Sequence, residues 1–314
     1  MQHAIKVNGF KKSYNNNQVV KGINLQVKKG ELFALLGPNG AGKTTIIHML
    51  STLLKPDEGT AFIGGLDVVK NAKDVRKMIS LTGQFAALDE GLTGLQNLML
   101  IARLHGHSNK QARSIANELI QSFDLFDARN RMVANYSGGM RRRLDIAASI
   151  VTQPDLIFLD EPTTGLDPQS RIQVWEVVRE LLKLGTTVLL TTQYLEEADQ
   201  LADQIAVIDE GRIIAEGTPN ELKASFGEKA LSFRLTKYVE FEKISSILDD
   251  HALTVFQDED PLVFKIPVKE TKLANYAIHT LLVNEVPVEE FVLGKPSLDE
   301  VFLALTAPKH REVV

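Results

Sequence analysis

The chain has 314 residues, 44% apolar and 24% charged, enough for one large packed domain and a small one in an ordinary soluble protein. Lys and Arg total 35 against 40 Asp and Glu, and the net charge of −5 argues against a general nucleic-acid binder, which needs a basic surplus. There are no cysteines, which excludes disulfides and thiolate metal sites, and no apolar run approaches the ~18–20 residues that span a bilayer. The N-terminal MQHAIKVNGFKKSY has no apolar signal core, so work at a membrane would need spanning helices from a partner.

Short strands are predicted over residues 1–30, where INLQV (23–27) alternates apolar and polar side chains. ELFALLG (31–37) is a continuous apolar run ending in glycine, the pattern of a buried central strand. The helix after it, GKTTIIHMLSTLL, sets Ile46, Ile47, Leu50 and Leu54 on one side, and PDEG (56–59) signals a turn. Residues of about 86–150 read as mostly helical, with a capping box at SNKQ (108–111) followed by Ile115, Leu119, Ile120 and Phe123 at helical spacing. Buried strands follow at LIFLD (156–160) and TTVLLTT (186–192), then QIAVID (204–209) and RIIAE (212–216). Strands alternating with helices imply an α/β domain with a mainly parallel sheet. The pattern changes near Phe226, dividing the chain into 1–226 and 227–314. The second part reads strand 231–235, helix 241–250, strands 253–257 and 262–267, helix 271–282 and strand 288–293. That β-α-β-β-α-β order predicts a small α+β ferredoxin-like module, closed by an amphipathic helix at SLDEVFLAL (297–305).

GPNGAGKT (37–44) carries the chemistry. Its pattern of Gly, four residues, then Gly-Lys-Thr is that of a phosphate loop. Glycines let the backbone curl so that several N–H groups meet one phosphate, and the following helix adds its positive end. The binding set is Gly37, Pro38, Asn39, Gly40, Ala41, Gly42, Lys43, Thr44 and Thr45. Lys43 is expected to reach the β- and γ-phosphates and Thr44 to bind Mg²⁺. LIFLDE (156–161) buries a strand and presents two acids at its tip. Asp160 would hold Mg²⁺, directly or through water, and Glu161 would act as the base for the attacking water.

YSGGM (136–140) resembles the signature loop of the ATP-binding-cassette (ABC) ATPases, usually LSGGQ, and its place between phosphate loop and LIFLDE agrees. The resemblance covers residues of about 3–226 and implies a P-loop nucleotide-binding domain with a mixed sheet core, an antiparallel β subdomain and a helical subdomain. It implies ATP and Mg²⁺ as ligands, and it adds roles. Gln84 in SLTGQ matches the family's Q-loop, which contacts Mg²⁺ or water and senses the permease. Tyr14 matches the aromatic that stacks on adenine. Ser137, Gly138 and Gly139 would contact the ATP of a second cassette, and Asp167 in GLD (165–167) would touch that subunit. The active form would then be a homodimer or a pair with a related cassette, attached to a separate permease at the cytoplasmic face of the membrane.

Three residues depart from the broad pattern: Tyr136 for Leu, Met140 for Gln, and Gln193 for the switch histidine. With SLTGQFAALDEGLTG (80–94), YSGGMRRRLDIA (136–147), TTQYLEEADQLAD (191–203) and LDEVFLALT (298–306), they resemble the daunorubicin-resistance type of drug-export ATPase over the whole chain. Glutamine can donate to a γ-phosphate but cannot become cationic, which predicts a competent, slower ATPase; the alternative is a glutamine that only caps the next helix. A non-hydrolysing regulatory subunit and a non-transport cassette ATPase are the rival readings. His48 and Trp175 read as packing residues, and Arg141–Arg143 as either a solvated helix face or a surface for acidic groups.

Overall fold

The computed structural model describes residues 3–15, 17–83, 88–226, 229–249, 253–258, 260–294 and 297–306. They form two compact units, Met1–Ile213 and Ile214–Val314.

The first unit opens with β1 (His3–Tyr14) and β2 (Asn17–Lys28), a long antiparallel pair. Next come β3 (Leu32–Leu36), α1 (Lys43–Leu50), β4 (Glu58–Ile63), β5 (Leu66–Asp67), α2 (Ala72–Met78) and β6 (Ile79–Thr82). The helical segment holds α3 (Gly94–Leu104), α4 (Asn109–Ser122) and α5 (Gly138–Ser149). Then follow β7 (Leu156–Asp160), α6 (Pro168–Lys183), β8 (Thr187–Thr192), α7 (Leu195–Leu201), β9 (Gln204–Asp209) and β10 (Arg212–Gly217). Strands β2-β1-β4-β5 make a four-stranded sheet, and β10-β9-β3-β8-β7-β6 a six-stranded one.

Within the larger sheet β3 runs parallel to β8 and β9, and β7 parallel to β8 and β6. Every residue of β3, β7 and β8 is buried, as their unbroken apolar runs require of strands covered on both faces. Leu36 pairs with Thr192 and Asp160 with Thr191, so the carboxyl ends of β3, β8 and β7 lie side by side. Segments that leave those ends are forced together, the usual place for a ligand in a parallel sheet. Apolar residues of β1, β2 and β4 share one core with β3, α1 and β7.

Local signals explain most boundaries. Ser108 and Gln111 form the expected capping box of α4, and Thr93 and Gln96 form a second one at α3. Helix α1 is shorter than its apolar run, because Ser51 ends it and Thr52 turns left-handed at φ 67°.

The second unit contains α8 (Pro219–Phe226), β11 (Lys229–Leu235), α9 (Phe241–Asp249), β12 (Phe256–Gln257), β13 (Val263–Val268), α10 (Thr271–Val283), β14 (Val288–Gly294) and α11 (Leu298–Thr306). Its four antiparallel strands run β12-β13-β11-β14, the order of a ferredoxin-like βαββαβ module. Phe233 stacks on Phe264 at 5.4 Å in its core, and α11 packs on α8. The division between units falls inside β10, ahead of the change of pattern at Phe226. The expected strand 253–257 pairs only at Phe256 and Gln257; Leu253 and Val255 are buried but lie outside the ladder. No helix of the described residues is long and apolar enough to cross a membrane.

Candidate active site

The loop of residues 37–42 leaves β3 and turns into α1 through Gly42, whose φ of 101° is open to glycine and strained for other residues. Lys43 follows as the first helical residue, 4% exposed, with its ammonium drawn back over the loop. Nζ donates to the carbonyls of Gly37 at 2.7 Å and Pro38 at 3.0 Å, and lies 3.3 Å from Glu161 Oε1. Pro38, Asn39 and Gly40 are exposed, Gly37 and Ala41 are buried, and Thr44 and Thr45 sit half-buried on the first turn of α1.

Asp160 ends β7 and is 3% exposed. Its Oδ1 accepts from Thr44 Oγ1 at 3.2 Å and from Thr191 Oγ1 at 2.5 Å. A hydroxyl and a carboxylate that converge in this way are hard oxygen donors, the set that holds Mg²⁺ beside a nucleotide phosphate. No group of three or more His, Cys, Asp or Glu forms a metal cluster among the described residues.

Glu161 is left-handed at φ 46°, a strained backbone that costs a non-glycine residue about 1–3 kcal/mol. The strain turns the chain sharply at the strand tip. The Glu161 N–H is held by both the carbonyl and the hydroxyl of Thr191, each at 3.1 Å, and Glu161 Oε2 accepts from Thr164 Oγ1 at 3.2 Å. Gln193, half-buried, follows β8 and lines a cavity of about 870 Å³ with Asn39 and Glu161. It does not cap α7: Tyr194 holds the N-cap position, with no side-chain cap bond.

Gly138 of the signature lines the same cavity as Asn39, Glu161 and Gln193. Ser137 caps α5, its Oγ accepting from the Met140 N–H at 3.2 Å, and Ser137 and Gly138 are exposed. The first N–H groups of a helix have no partner within it, so this end offers donors outward. A Cβ on buried Gly139 would collide with Ser170. Ser170 is itself held by Asp167, which caps α6 and accepts from the Ser170 N–H at 3.0 Å and Oγ at 2.6 Å. The signature and Asp167 therefore abut one another in one chain. Among the described residues, the side-chain hydrogen bonds of Ser137 and Asp167 stay within the first turns of α5 and α6. Tyr14 closes β1 with 46% of its surface exposed. Gln84 lies outside the described residues.

Three residues escape a sequence reading. Thr191 ends an apolar strand and reads as its polar boundary, yet its hydroxyl serves both Asp160 and Glu161. Arg142 is turned inward, donating to the Gly83 carbonyl at 2.7 Å and the Asp160 carbonyl at 3.3 Å, with Asp145 at 3.5 Å. Arg143 also turns inward, to the Phe123 and Asp124 carbonyls, and only Arg141 faces outward, to Glu90. The arginine run is thus not one solvated face. The third is Glu197, fully buried on α7 beneath the site. Tyr136, where the signature usually has Leu, is buried and donates to the Ala128 carbonyl at 2.9 Å, a packing role.

The ABC transporter family model matches residues 20–164, and the model for the C-terminal domain of DrrA1-3-like ATP-binding proteins matches residues 217–306. The daunorubicin/doxorubicin resistance ATP-binding protein DrrA of Streptomyces peucetius is 54% identical, over 96% of this chain and 92% of its own length. The chain belongs to the ATP-binding subunits of ABC transporters. Within them it is a member of the daunorubicin-resistance branch, as the matched C-terminal domain and full-length identity require. The Nod factor export ATP-binding protein I of Paraburkholderia xenovorans is 44% identical over 71% of this chain and 73% of its own. Among solved structures, cbiO1 from Clostridium perfringens, part of the ABC transporter complex cbiONQ, superposes with a TM-score of 0.66 at 27% identity, covering 71% of this chain and 92% of that one. The ADP conformation of the cassette MJ1267 gives 0.63 at 25%, covering 70% and 93%. This family binds ATP and implies its hydrolysis.

Proposed function

We propose that the chain is the ATP-hydrolysing subunit of an export transporter, working as a head-to-tail pair of cassettes that drives a separate membrane permease. The observation that carries this reading is the convergence of Lys43, Thr44, Asp160 and Glu161 at the ends of β3 and β7, with Gln193 beside them. In that arrangement the Lys43 ammonium and the loop N–H groups hold the β- and γ-phosphates. Glu161 accepts a proton from a water that attacks the γ-phosphorus. The new P–O bond forms as the bond to the β–γ bridging oxygen breaks, and that oxygen leaves with ADP. The Gln193 NH₂ donates to a γ-phosphate oxygen without adding charge. Thr44 and Asp160 would hold Mg²⁺, which supplies positive charge against the bridging and terminal phosphate oxygens.

A second cassette completes the site. The Ser137 hydroxyl and the Gly138 and Gly139 N–H groups of one subunit meet the γ-phosphate bound by the other, with Asp167 at the subunit boundary. Tyr14 stacks on adenine and Gln84 links the ion or water to the permease. Closure on ATP and reopening on hydrolysis is a two-state motion of the kind that powers alternating access. The unit of residues 214–314 regulates or supports the pair and its permease contacts, and no nucleic acid is involved. The curated relatives are named for daunorubicin, doxorubicin and Nod factor, which supports a drug-like or amphipathic cargo, and the pair works at the cytoplasmic face of the membrane.

The test is phosphate release and ATP binding by the full-length chain, comparing wild type with Glu161→Gln. Turnover in wild type and a stalled, ATP-bound variant are expected. Equal silence from both proteins, with ATP bound, would make the chain a nucleotide sensor.

A further inference from the structure

A fully buried carboxyl group is costly unless its oxygens are engaged, and Glu197 is 0% exposed. It lies on α7, one turn past Gln193. Its Oε1 accepts two hydrogen bonds, from Thr163 Oγ1 at 2.9 Å and from Trp175 Nε1 at 3.1 Å. Oε2 makes no hydrogen bond among the described residues. The positions of these partners matter more than their number. Thr163 is buried in the middle of the loop that starts at Glu161 and ends at Asp167, and its carbonyl also accepts the Leu166 N–H at 3.2 Å. Trp175 belongs to α6, the helix that Asp167 caps. Tyr194, the N-cap of the helix that carries Glu197, immediately follows Gln193. One carboxyl, on the helix that starts just past Gln193, therefore holds both the segment behind the proposed base and the helix behind the subunit-boundary aspartate.

We propose that Glu197 is a positioning residue for ATP hydrolysis, anchoring the Glu161–Asp167 loop and the Gln193 joint to a common point so that base and phosphate donor are set together. This inference rests on the hydrolysis reading above. Glu197 touches no phosphate itself. An apolar residue of similar size would fill the space more cheaply, but it would leave the Thr163 hydroxyl and the Trp175 N–H without an acceptor.

The experiment uses the full-length chain and three variants: Glu197→Gln, Glu197→Leu and Thr163→Val. Phosphate release against ATP concentration gives kcat and KM, a fluorescent ATP analogue gives nucleotide affinity, and emission from Trp175, the sole tryptophan, reports the indole hydrogen bond. Glutamine keeps an accepting oxygen, so Glu197→Gln is expected to stay within about 3-fold of wild type in kcat. Glu197→Leu is expected to lose about 10²-fold in kcat with nucleotide affinity within about 3-fold and a shifted Trp175 emission. Thr163→Val removes one hydroxyl only and tests the same link if the leucine variant does not fold; about 10-fold in kcat is expected. Wild-type kcat in Thr163→Val, together with either wild-type kcat in Glu197→Leu or its failure to fold, overturns the proposal. So does a parallel fall of kcat and affinity that Glu197→Gln does not rescue. If wild type itself releases no phosphate, the hydrolysis reading fails and takes this inference with it. If wild type turns over and the variants match it, this inference alone fails.

Discussion

Replacing Arg142 by methionine removes a guanidinium that holds three elements at once. It extends from α5 to the Gly83 carbonyl after β6 and to the Asp160 carbonyl at the end of β7, and its side chain is almost wholly buried. A hydrogen bond from a charged donor contributes about 1.5–3 kcal/mol, so the two bonds represent about 3–6 kcal/mol. Methionine recovers part of this, because it fills much of the volume and abolishes the cost of burying a charge. The net loss expected for Arg142→Met is about 2–4 kcal/mol of stability in the first unit. Arg142→Lys keeps the charge but has no fork to span both carbonyls, so it should lose about half as much. Arg141→Met is the control. Its partner Glu90 is exposed and the pair is a surface one, worth about 0–1 kcal/mol. Urea titration followed by Trp175 emission reads the first unit selectively, since that unit holds the sole tryptophan. The reasoning is refuted if Arg142→Met unfolds within about 0.5 kcal/mol of wild type, or if Arg141→Met costs as much.

Gln193→Ala should lower kcat by about 5- to 30-fold, the loss of about 1–2 kcal/mol from one γ-phosphate hydrogen bond, with phosphate release under saturating ATP as the measurement. An unchanged rate would remove Gln193 from the site's chemistry. Thr191→Val keeps the strand's packing but takes the hydroxyl from Asp160 and from the Glu161 N–H, and should cost about 10-fold in kcat with little change in nucleotide affinity. Burial pushes the Glu197 carboxyl above its ordinary range, against the pull of the Thr192, Thr163 and Trp175 hydrogen bonds and the Arg171 charge. A folded pKa above the unfolded one means that the folded state binds the extra proton, so stability falls as pH rises through that window. Glu197→Gln has no proton to gain or lose at this position. Its stability relative to wild type should therefore improve as pH rises above the ordinary carboxylate range, read as urea midpoints; the opposite trend would place the folded pKa below the unfolded one.

The elements most legible in the sequence are those whose local and global demands agree. The runs at Leu32–Leu36, Leu156–Asp160 and Thr187–Thr192 are apolar throughout because both faces of the sheet are covered, and a continuous apolar run between turn signals has few other uses. The phosphate loop is legible for a similar reason, since the left-handed Gly42 and the buried Lys43 after it occupy fixed places in the Gly-x4-Gly-Lys-Thr pattern. The ferredoxin-like module is legible in order but not in extent. Leu253 and Val255 bury their side chains without joining the ladder, and apolarity reports burial rather than backbone pairing.

The buried polar groups are a different case, because their partners are remote in sequence. Arg142 meets Gly83 and Glu197 meets Thr163 only once the sheet has brought β6, β7 and β8 into register. One elementary constraint does bear on the arginines before any coordinates. Successive helical residues are turned by about 100°, so three in a row cover more than half the circumference and cannot all lie on a narrow solvated face. On α5 the outermost of them pairs with an exposed glutamate while the next two turn inward to carbonyls. A run of like charge on a helix with an apolar stripe is therefore also a statement that some of those charges are buried. The carbonyls that receive Arg142 are those of Asp160, at the end of β7, and Gly83, just before Gln84, while Arg143 is received at the end of α4 by Phe123 and Asp124. That places a fixed positive charge where the helical segment meets the ends of β6 and β7.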